Sequence, residues 1–502
     1  MKKLSVILLA ACCMISCKKF LEEYSPSEVT PKSASDFGEI LVTDGYPDPL
    51  SLLSYWTVFL DDDTQCYVGV ANQVLAPEQL ENIRNVYQWQ SVLTNNTPNS
   101  ITPSQINAWG NYYKLLMGVN VVLQNIDKAT GSPDEKDQIK GEALGLRAMY
   151  HFMLVNLYAR PYNDSLTTPD QSPGIPIRLD GNLSDAYLSR NTVKEVYQQI
   201  VSDLDSSLIL LNRKKKDNDP IRLSHTAIHL LASRVHLYME DWQKCIEHAD
   251  AVLKYHPQLM DYRDWVNNPP TETNQLIGPF NPESIWSYGN YQEQYPFLYT
   301  GYTTTFDVSW DLYNSFDDND LRKSVAFNII PEYLREWIAV EISQLKHAYM
   351  NSVTGLTMIN NSWRSSEAYL NRAEAYIQVY RTKGDGAAAT EALKSLNTLR
   401  AKRFDPSTFQ PWTVQPGNAM LDSCRKERRR ELFREETHRW FDLRRYGMPE
   451  IKHNYIPEVG TTQFYTLKKR DPQYVIPIPE EAHTRNPALS RNPAIPGIRQ
   501  PD

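Results

Sequence analysis

Arg428–Arg445 reads RRRELFREETHRWFDLRR and is preceded by Glu427. Its opposite charges fall three or four residues apart, Glu427 with Arg430, Glu431 with Arg434 and Glu435 with Arg439, the spacing of neighbours on a helix surface. Leu432, Phe433, Trp440, Phe441 and Leu443 supply a packing side. The pattern predicts one long helix, Leu421–Tyr446, laced with surface pairs that contribute roughly a few tenths of a kcal/mol each. Arginines beside aromatics suit nucleic acid only where the field is positive, and here the interleaved glutamates cancel it. The segment therefore reads as scaffold and the fold as mainly helical.

Working outward, the same periodicity recurs. Ser365–Tyr380 (SSEAYLNRAEAYIQVY) and Ala387–Arg403 form a helix pair around the turn Gly384-Asp385-Gly386. Further upstream lie Val193–Leu211, Ser224–Met239 and Trp242–Tyr255. The last two fit a tetratricopeptide repeat: Trp242 takes the aromatic slot, Cys245 the small slot, Ala249 and Leu253 continue the face, and Pro257 closes the repeat. His229, Ser233 and His236 depart from that pattern. Cys245 reads as a packing residue, not a thiol ligand. Earlier still, Trp109, Tyr112, Leu115, Leu116, Val119, Val122 and Leu123 mark one helix face. A second helix, GEALGLRAMYHFMLVNLY from Gly141, follows a turn with Gly131 and Pro133 and ends at Arg160-Pro161-Tyr162. Trp109, Tyr369 and Trp440 are read as scaffold. Between Gln258 and Lys346 the helical rhythm breaks: prolines and the β-prone Ser284–Tyr288 predict loops and short strands laid over the helices.

The opening Met1-Lys2-Lys3 followed by an apolar run to Met14-Ile15-Ser16-Cys17 has the layout of an export signal too short to span a bilayer. A small residue before Cys17 and polar residues after it point to lipidation of that cysteine; several acyl chains make a lasting anchor. Lys18 to about Ser33 reads as a tether. Without Lys2 and Lys3 the chain carries 50 basic and 60 acidic residues, a balance that disfavours nucleic acid and anionic membrane as partners. Cys66, Cys245 and Cys424 form no CxxC pair, so neither zinc nor redox chemistry is indicated. No HExxH, GxSxG, Walker or dinucleotide-binding loop is present, and no nucleophile has a sequence-visible partner. The chain reads as a binding protein without catalysis. Its 30 Tyr and 11 Trp suggest a surface on which a ligand stacks.

RRRELFREETHRWFDLRR resembles the C-terminal signature of the SusD/RagB family of outer-membrane nutrient-binding lipoproteins. SSEAYLNRAEAYIQVY is similar to that family's last repeat helix, and GEALGLRAMYHFMLVNLYARPYN with Pro173–Pro176 to its early repeat and loop. Trp310–Asn314 with Asp317–Arg322 resembles its middle segment. Tyr474–Pro479, Asn486-Pro487 and Asn492-Pro493 resemble its tail, and Cys17–Glu22 its mature start. The resemblance implies a mainly α fold: about four tetratricopeptide-like helix pairs with an irregular loop and short-strand face that binds ligand. It also implies a non-enzymatic, lipid-anchored protein on the outer face of the outer membrane, partnered with a SusC-like TonB-dependent transporter and serving carbohydrate uptake. The expected organisation is signal 1–16, lipidated tether 17–34, N-terminal repeat region 35–257, loop-rich ligand region 258–346 and C-terminal family region 347–502.

A sugar site needs flat apolar faces and forked polar groups, and loops are where those can be exposed. Two loops qualify. The first, from Asp61 to Asn96, offers Asp61, Asp63, Tyr67, Tyr87, Trp89, Asn95 and Asn96. The second offers Trp286, Tyr288, Tyr291, Tyr295 and Tyr299, with Phe297 and Tyr302 beside them. Asp61, Asp62 and Asp63 read first as a solvated acidic loop or helix start, then as a weak structural-calcium site, and last as paired catalytic carboxylates. No other cofactor is expected. The leading reading is capture of an oligosaccharide; the alternatives are a peptide-binding member, or a lid that gates the transporter with little affinity of its own.

Overall fold

The computed structural model describes residues 31–47, 53–67, 77–94, 106–182, 186–211, 219–267, 276–289, 306–329, 342–344, 361–458 and 460–502. Helix α1 spans Ala34–Ile40. The Ser33 hydroxyl accepts the Asp36 N–H at 3.1 Å and the Asp36 carboxylate accepts the Ser33 N–H at 2.9 Å, a reciprocal cap. Next come α2 (Pro77–Tyr87), α3 (Ala108–Asn125) and α4 (Pro133–Tyr158). Ser132 caps α4 by accepting the Glu135 N–H, and Pro133 sits at the first helical position. This helix therefore begins well before the apolar pattern at Gly141; its first turns are polar and face solvent. Helices α5 (Val193–Leu211), α6 (His225–Tyr238) and α7 (Trp242–Tyr255) follow, with Ser224 and Asp241 capping the last two.

The irregular stretch contributes short helices α8 (Tyr262–Asn267), α9 (Trp310–Asn314) and α10 (Leu321–Val325). Regular helices resume with α11 (Ser365–Lys383) and α12 (Gly386–Arg400). Between them Gly384 adopts φ 68°, left-handed backbone that glycine tolerates, and Asp385 caps the next helix. Helices α13 (Gly417–Leu432), α14 (His438–Arg445) and α15 (Glu480–Arg485) complete the set. Neighbours in sequence pack side by side, α3 on α4, α4 on α5, α5 on α6 and α6 on α7; α11 then packs on α7 and carries α12 and α13. This is the mainly α, tetratricopeptide-like scaffold the sequence predicts. One apolar cluster runs from Ala34 to Leu489, and Cys245 is fully buried within it. At Gly118 the turn at Asp44 comes so close to α3 that a Cβ would sit 2.2 Å from the Asp44 carbonyl oxygen. Among the described residues no helix is long and apolar enough to cross a membrane.

The strands pair two by two: β1 (Thr64–Cys66) with β3 (Phe306–Val308), β2 (Ser284–Tyr288) with β6 (Asn361–Arg364), β4 (Phe327–Ile329) with β5 (Ile342–Gln344), and β7 (Ile451–Glu458) with β8 (Thr461–Leu467), all antiparallel. The β1–β3 and β2–β6 pairs span long sequence distances, and β7–β8 is a local hairpin.

The signature segment differs from its expected form in two ways. It is two helices rather than one: between Leu432 and His438 the chain turns, with Arg434 at φ 58° and Glu436 at φ 45°. Its charges also face inward. Glu427–Arg430, at 2.6 Å, pairs along the helix as expected. Glu431 instead accepts from Arg322, Arg364 and Arg403 at 2.9, 3.1 and 2.7 Å, and Glu435 pairs with Arg364 at 2.6 Å. Glu283 bridges Arg364 and Arg403 at 2.6 Å each, and Asp320 holds Arg322 at 2.7 Å. Arg439 turns away from Glu435 to Asp62. Stripping water from these ions costs several kcal/mol apiece, so each survives only because partners satisfy it on several sides. Those partners lie far apart in sequence, and meeting them requires the turn at residues 433–437.

Candidate functional site

The sequence-predicted ligand residues that fall among the described ones lie inside the protein. Trp286 is fully buried, stacked on Tyr288 at 4.4 Å and edge-on to Trp363 at 4.7 Å. The cause is β2: paired with β6, it is buried along its whole length, so the aromatics expected on a loop fill the core. Tyr288 donates its hydroxyl to Glu436, which also accepts from Trp363 Nε1 at 2.7 Å and pairs with Arg234 at 2.8 Å. Tyr67 donates to the Val308 carbonyl at 2.6 Å and is buried. Tyr87 and Trp89 clasp the imidazole of His453 from both sides, at 4.1 and 4.0 Å. Trp89 adopts φ 50°, a left-handed conformation that ends α2 and turns the indole inward, where Nε1 donates to the Leu60 carbonyl at 2.9 Å. Burial pushes the His453 pKa down to about 4, against the pull of two carbonyl oxygens that face its nitrogens. None of these rings presents a face to a ligand, which corrects the expectation for Tyr67, Tyr87, Trp89, Trp286 and Tyr288. Cys17, Asn95, Asn96, Tyr291, Tyr295 and Tyr299 lie outside the described residues.

The aspartate triplet is likewise not a solvated loop. Asp61 and Asp63 are buried; Asp63 takes the Arg429 Nε at 2.6 Å, and Asp62 takes Arg439 at 2.7 Å. Burial alone would raise the Asp62 pKa, but Arg439 and Arg429 outweigh it and hold the carboxyl well below the usual range. Asp61, buried beside two other carboxylates, is pushed the opposite way. Among the described residues no group of three or more His, Cys, Asp and Glu side chains is arranged to hold a metal ion.

What the first predicted loop does build is a cleft above those buried rings. Its volume is about 540 Å³. Glu81, Arg84, Asn85 and Gln88, spaced to share one face of α2 and its end, form one wall. The turn after α2 adds Gln90, Ser91 and Val92; the β7–β8 hairpin adds Tyr455, Pro457, Gln463 and Tyr465; Ile498, Arg499 and Gln500 close the third side. Two Asn85 N–H bonds, to the carbonyls of Val92 at 3.0 Å and Thr94 at 2.9 Å, hold the turn against the helix. The formal charges are matched locally: Arg84 pairs with Glu81 at 2.8 Å and Arg499 with Asp471 at 3.0 Å. The rest of the lining is amides and the hydroxyls of Ser91, Tyr455 and Tyr465, groups that both donate and accept, flanked by the exposed apolar side chains of Val92 (62%) and Ile498 (74%). Such a lining can bind a hydroxyl-rich chain by paired hydrogen bonds and apolar contact; it holds no activated nucleophile. Periodicity could have found the α2 wall. Nothing local to residues 498–500 shows that they join it.

A second cleft of about 400 Å³ lies between α3 and the loop after α4, but its aromatics are spent: Tyr113 donates to the Pro176 carbonyl at 2.7 Å and Trp109 packs edge-on against Tyr158 at 5.1 Å.

Two family models match this chain. One, a SusD-like model described as starch-binding and associating with the outer membrane, covers residues 53–237; the other, the SusD family model, covers residues 283–494. The chain belongs to the SusD/RagB family. Solved structures of the same architecture include a SusD superfamily protein from Bacteroides thetaiotaomicron, 22% identical, with a TM-score of 0.69 over 92% of this chain and 100% of that one. A SusD-like carbohydrate binding protein from Bacteroides vulgatus is 18% identical, with a TM-score of 0.65 over 91% and 97%. Surface glycan-binding protein A from Bacteroides uniformis is 18% identical, with a TM-score of 0.65 over 92% and 99%. No curated protein matches the chain. At these identities the likeness establishes the SusD fold.

Proposed function

We propose that this SusD-family protein is a lipid-anchored glycan-binding protein of the outer cell surface that passes oligosaccharide to a SusC-like TonB-dependent transporter without acting on it chemically. The observation that carries the reading is the amide-lined cleft between α2 and the β7–β8 hairpin, whose charges are matched locally and whose rim exposes Val92 and Ile498. Sugar hydroxyls need both donors and acceptors, and amides and hydroxyls offer both at neutral pH, as ionised side chains do not. The glycan-binding relatives of the same fold and the family's outer-membrane association support it. The anchor would be Cys17. No cation is invoked at Asp61–Asp63, because Arg429 and Arg439 already supply the positive charge there.

The test is isothermal titration of the soluble form starting at Lys18 against panels of oligosaccharides and peptides. Binding to oligosaccharide alone is expected. Binding only to peptides would move the protein to the peptide-binding reading, and binding to neither would favour a transporter lid. Separately, Cys17→Ala is expected to shift the protein from the membrane to the soluble fraction; retention at the membrane would overturn the anchor.

A further inference from the structure

We infer that the segment Gly497–Asp502 is a built wall of the cleft that selects an uncharged glycan chain, with Ile498 as its apolar contact. This rests on the glycan reading above and adds to it both the ligand's charge class and an element that sets specificity. The segment belongs to no helix or strand, yet it is fastened along its length. The Gln90 side-chain amide bonds both backbone groups of Arg499, accepting from its N–H at 2.7 Å and donating to its carbonyl at 3.0 Å, as a strand neighbour would. The Arg499 guanidinium reaches the carbonyls of Trp89 at 3.2 Å and Thr466 at 2.8 Å, and the Asp471 carboxylate at 3.0 Å. The Asp502 N–H donates to the Phe464 carbonyl at 2.8 Å, and its carboxylate takes Thr466 at 2.7 Å and Lys452 at 3.0 Å.

These anchors leave the Ile498 side chain, 74% exposed, with no part in the fastening. Gln500, also exposed, bonds only the Ile498 carbonyl of its own segment at 3.3 Å, and both line the cleft. Holding an exposed isoleucine rigidly beside a polar cleft gives the fold nothing by burial, whereas a flat sugar face gains from it. The charge class follows from the pairings. Arg499 is committed to Asp471 and two carbonyls, and Arg84 to Glu81, so a carboxylated or sulfated chain would meet guanidinium groups already satisfied and carboxylates that repel it.

The experiment titrates neutral malto-, xylo-, manno- and galacto-oligosaccharides, with polygalacturonate and chondroitin sulfate as anionic counterparts. Four proteins are compared: wild type, a chain stopped after Pro496, Ile498→Ser, and Gln463→Ala in the hairpin wall. Ile498→Ser keeps every anchor and guards against a truncation that merely unfolds. Wild type is expected to bind a neutral chain and no anionic one. Stopping after Pro496 should weaken Kd about tenfold or more, the loss of roughly 1.4 kcal/mol, and Ile498→Ser should weaken it several-fold with melting unchanged. If Gln463→Ala weakens binding while both tail variants bind as wild type does, the tail inference is wrong and the glycan reading stands. If wild type binds and no variant matters, the ligand lies elsewhere and the wall is refuted with the cleft. Preference for the anionic chains overturns the charge class, and absence of any binding removes the function and this inference together.

Discussion

Two buried regions of this protein hold their neighbours by opposite chemistry. The α4–α5 hairpin is joined largely by apolar contact: Phe152 meets Tyr197 edge-on at 6.3 Å and Leu211 lies against Gly141, with Val196, Ile200 and Leu204 buried along α5. The turn from α13 into α14 is as deeply buried, yet its inward groups are Glu427, Arg428, Glu431, Arg434 and Glu435. Apolar packing there is non-directional, so many partners of the right volume would do. Ion pairs in a dry interior are directional and tolerate no missing member. The difference shows in what each joins: the hairpin unites sequence neighbours, while the ionic centre gathers residues 283, 320, 322, 364, 403 and 427–435 into one register.

Removing one cation should break the ionic centre more severely than removing one aliphatic group breaks the hairpin. Arg364→Met takes a guanidinium from Glu435 and leaves Glu283 and Glu431 to share Arg403 and Arg322 in a site closed to bulk solvent, and chemical denaturation should show a loss of about 3–5 kcal/mol at neutral pH. Leu146→Ala opens a cavity beside buried α4 and should cost about 2–5 kcal/mol, toward the lower end if its neighbours can settle inward. The two are told apart by acid. Protonating the glutamates relieves their repulsion, so the Arg364→Met deficit should shrink as pH falls, while the Leu146→Ala deficit stays level. Equal deficits at every pH would show that the ionic centre behaves as ordinary core.

Acid alone should separate the regions in the wild-type protein. Burial by itself would raise the Glu427 carboxyl, but Arg322 and Arg430 outweigh it and bring its pKa down from 4.5 to about 2. A folded-state pKa below the unfolded one means the contribution is complete above about pH 4.5 and is lost as pH falls through about 2; for this shift it is at most about 3 kcal/mol. His248 acts in the window above. Burial first, then His229 and His236, lower its pKa from 6.5 to about 3, so the unfolded chain takes up a proton there that the folded one refuses. Stability should therefore decline gently from about pH 6.5 downward and more steeply below about 4.5. Denaturation midpoints across that range check both slopes, and His248→Gln should reduce the upper one, which the buried His453 and His151 share, and leave the lower one unchanged.

How much of this was legible beforehand follows the same divide. Val193–Leu211 and Trp242–Tyr255 were readable to the residue, because a helix face repeats locally and its caps, such as Asp241, lie next to it. The burial of Trp109, Trp440 and Cys245 was legible for the same reason. Trp286 was not. Its position depends on pairing between residues 284–288 and 361–364, and no local pattern announces a partner so far away. The charges of Arg428–Arg445 misled through their regular spacing, which fits an exposed helix as well as a buried turn; only the arrival of Arg322, Arg364 and Arg403 decides between them. At the cleft, the described part of the first loop contributes Asn85, Gln88 and Gln90 to the lining instead of the aromatics expected there. The wall at residues 498–500 depends on Gln90, some four hundred positions earlier, and could not have been read at all.

The smallest expected effect makes the sharpest comparison, because it keeps the chemistry and changes only the surroundings. Glu481 and Arg485 on α15 stand 2.6 Å apart at helical spacing, the same distance as Glu427 and Arg430 on α13. Their side chains are 60% and 79% exposed, against 0% and 10% for the buried pair. In water the attraction is screened and two flexible side chains must be ordered to realise it, so Glu481→Gln should change stability by no more than about 0.5 kcal/mol and less in high salt. Glu427→Gln deprives Arg322 and Arg430 of a carboxylate in a site without water, and should cost several-fold more with little dependence on salt. Comparable losses for the two substitutions would mean that the centre around residues 427–435 is hydrated, and that its ions are ordinary surface pairs folded over, not a lock on the register of the chain.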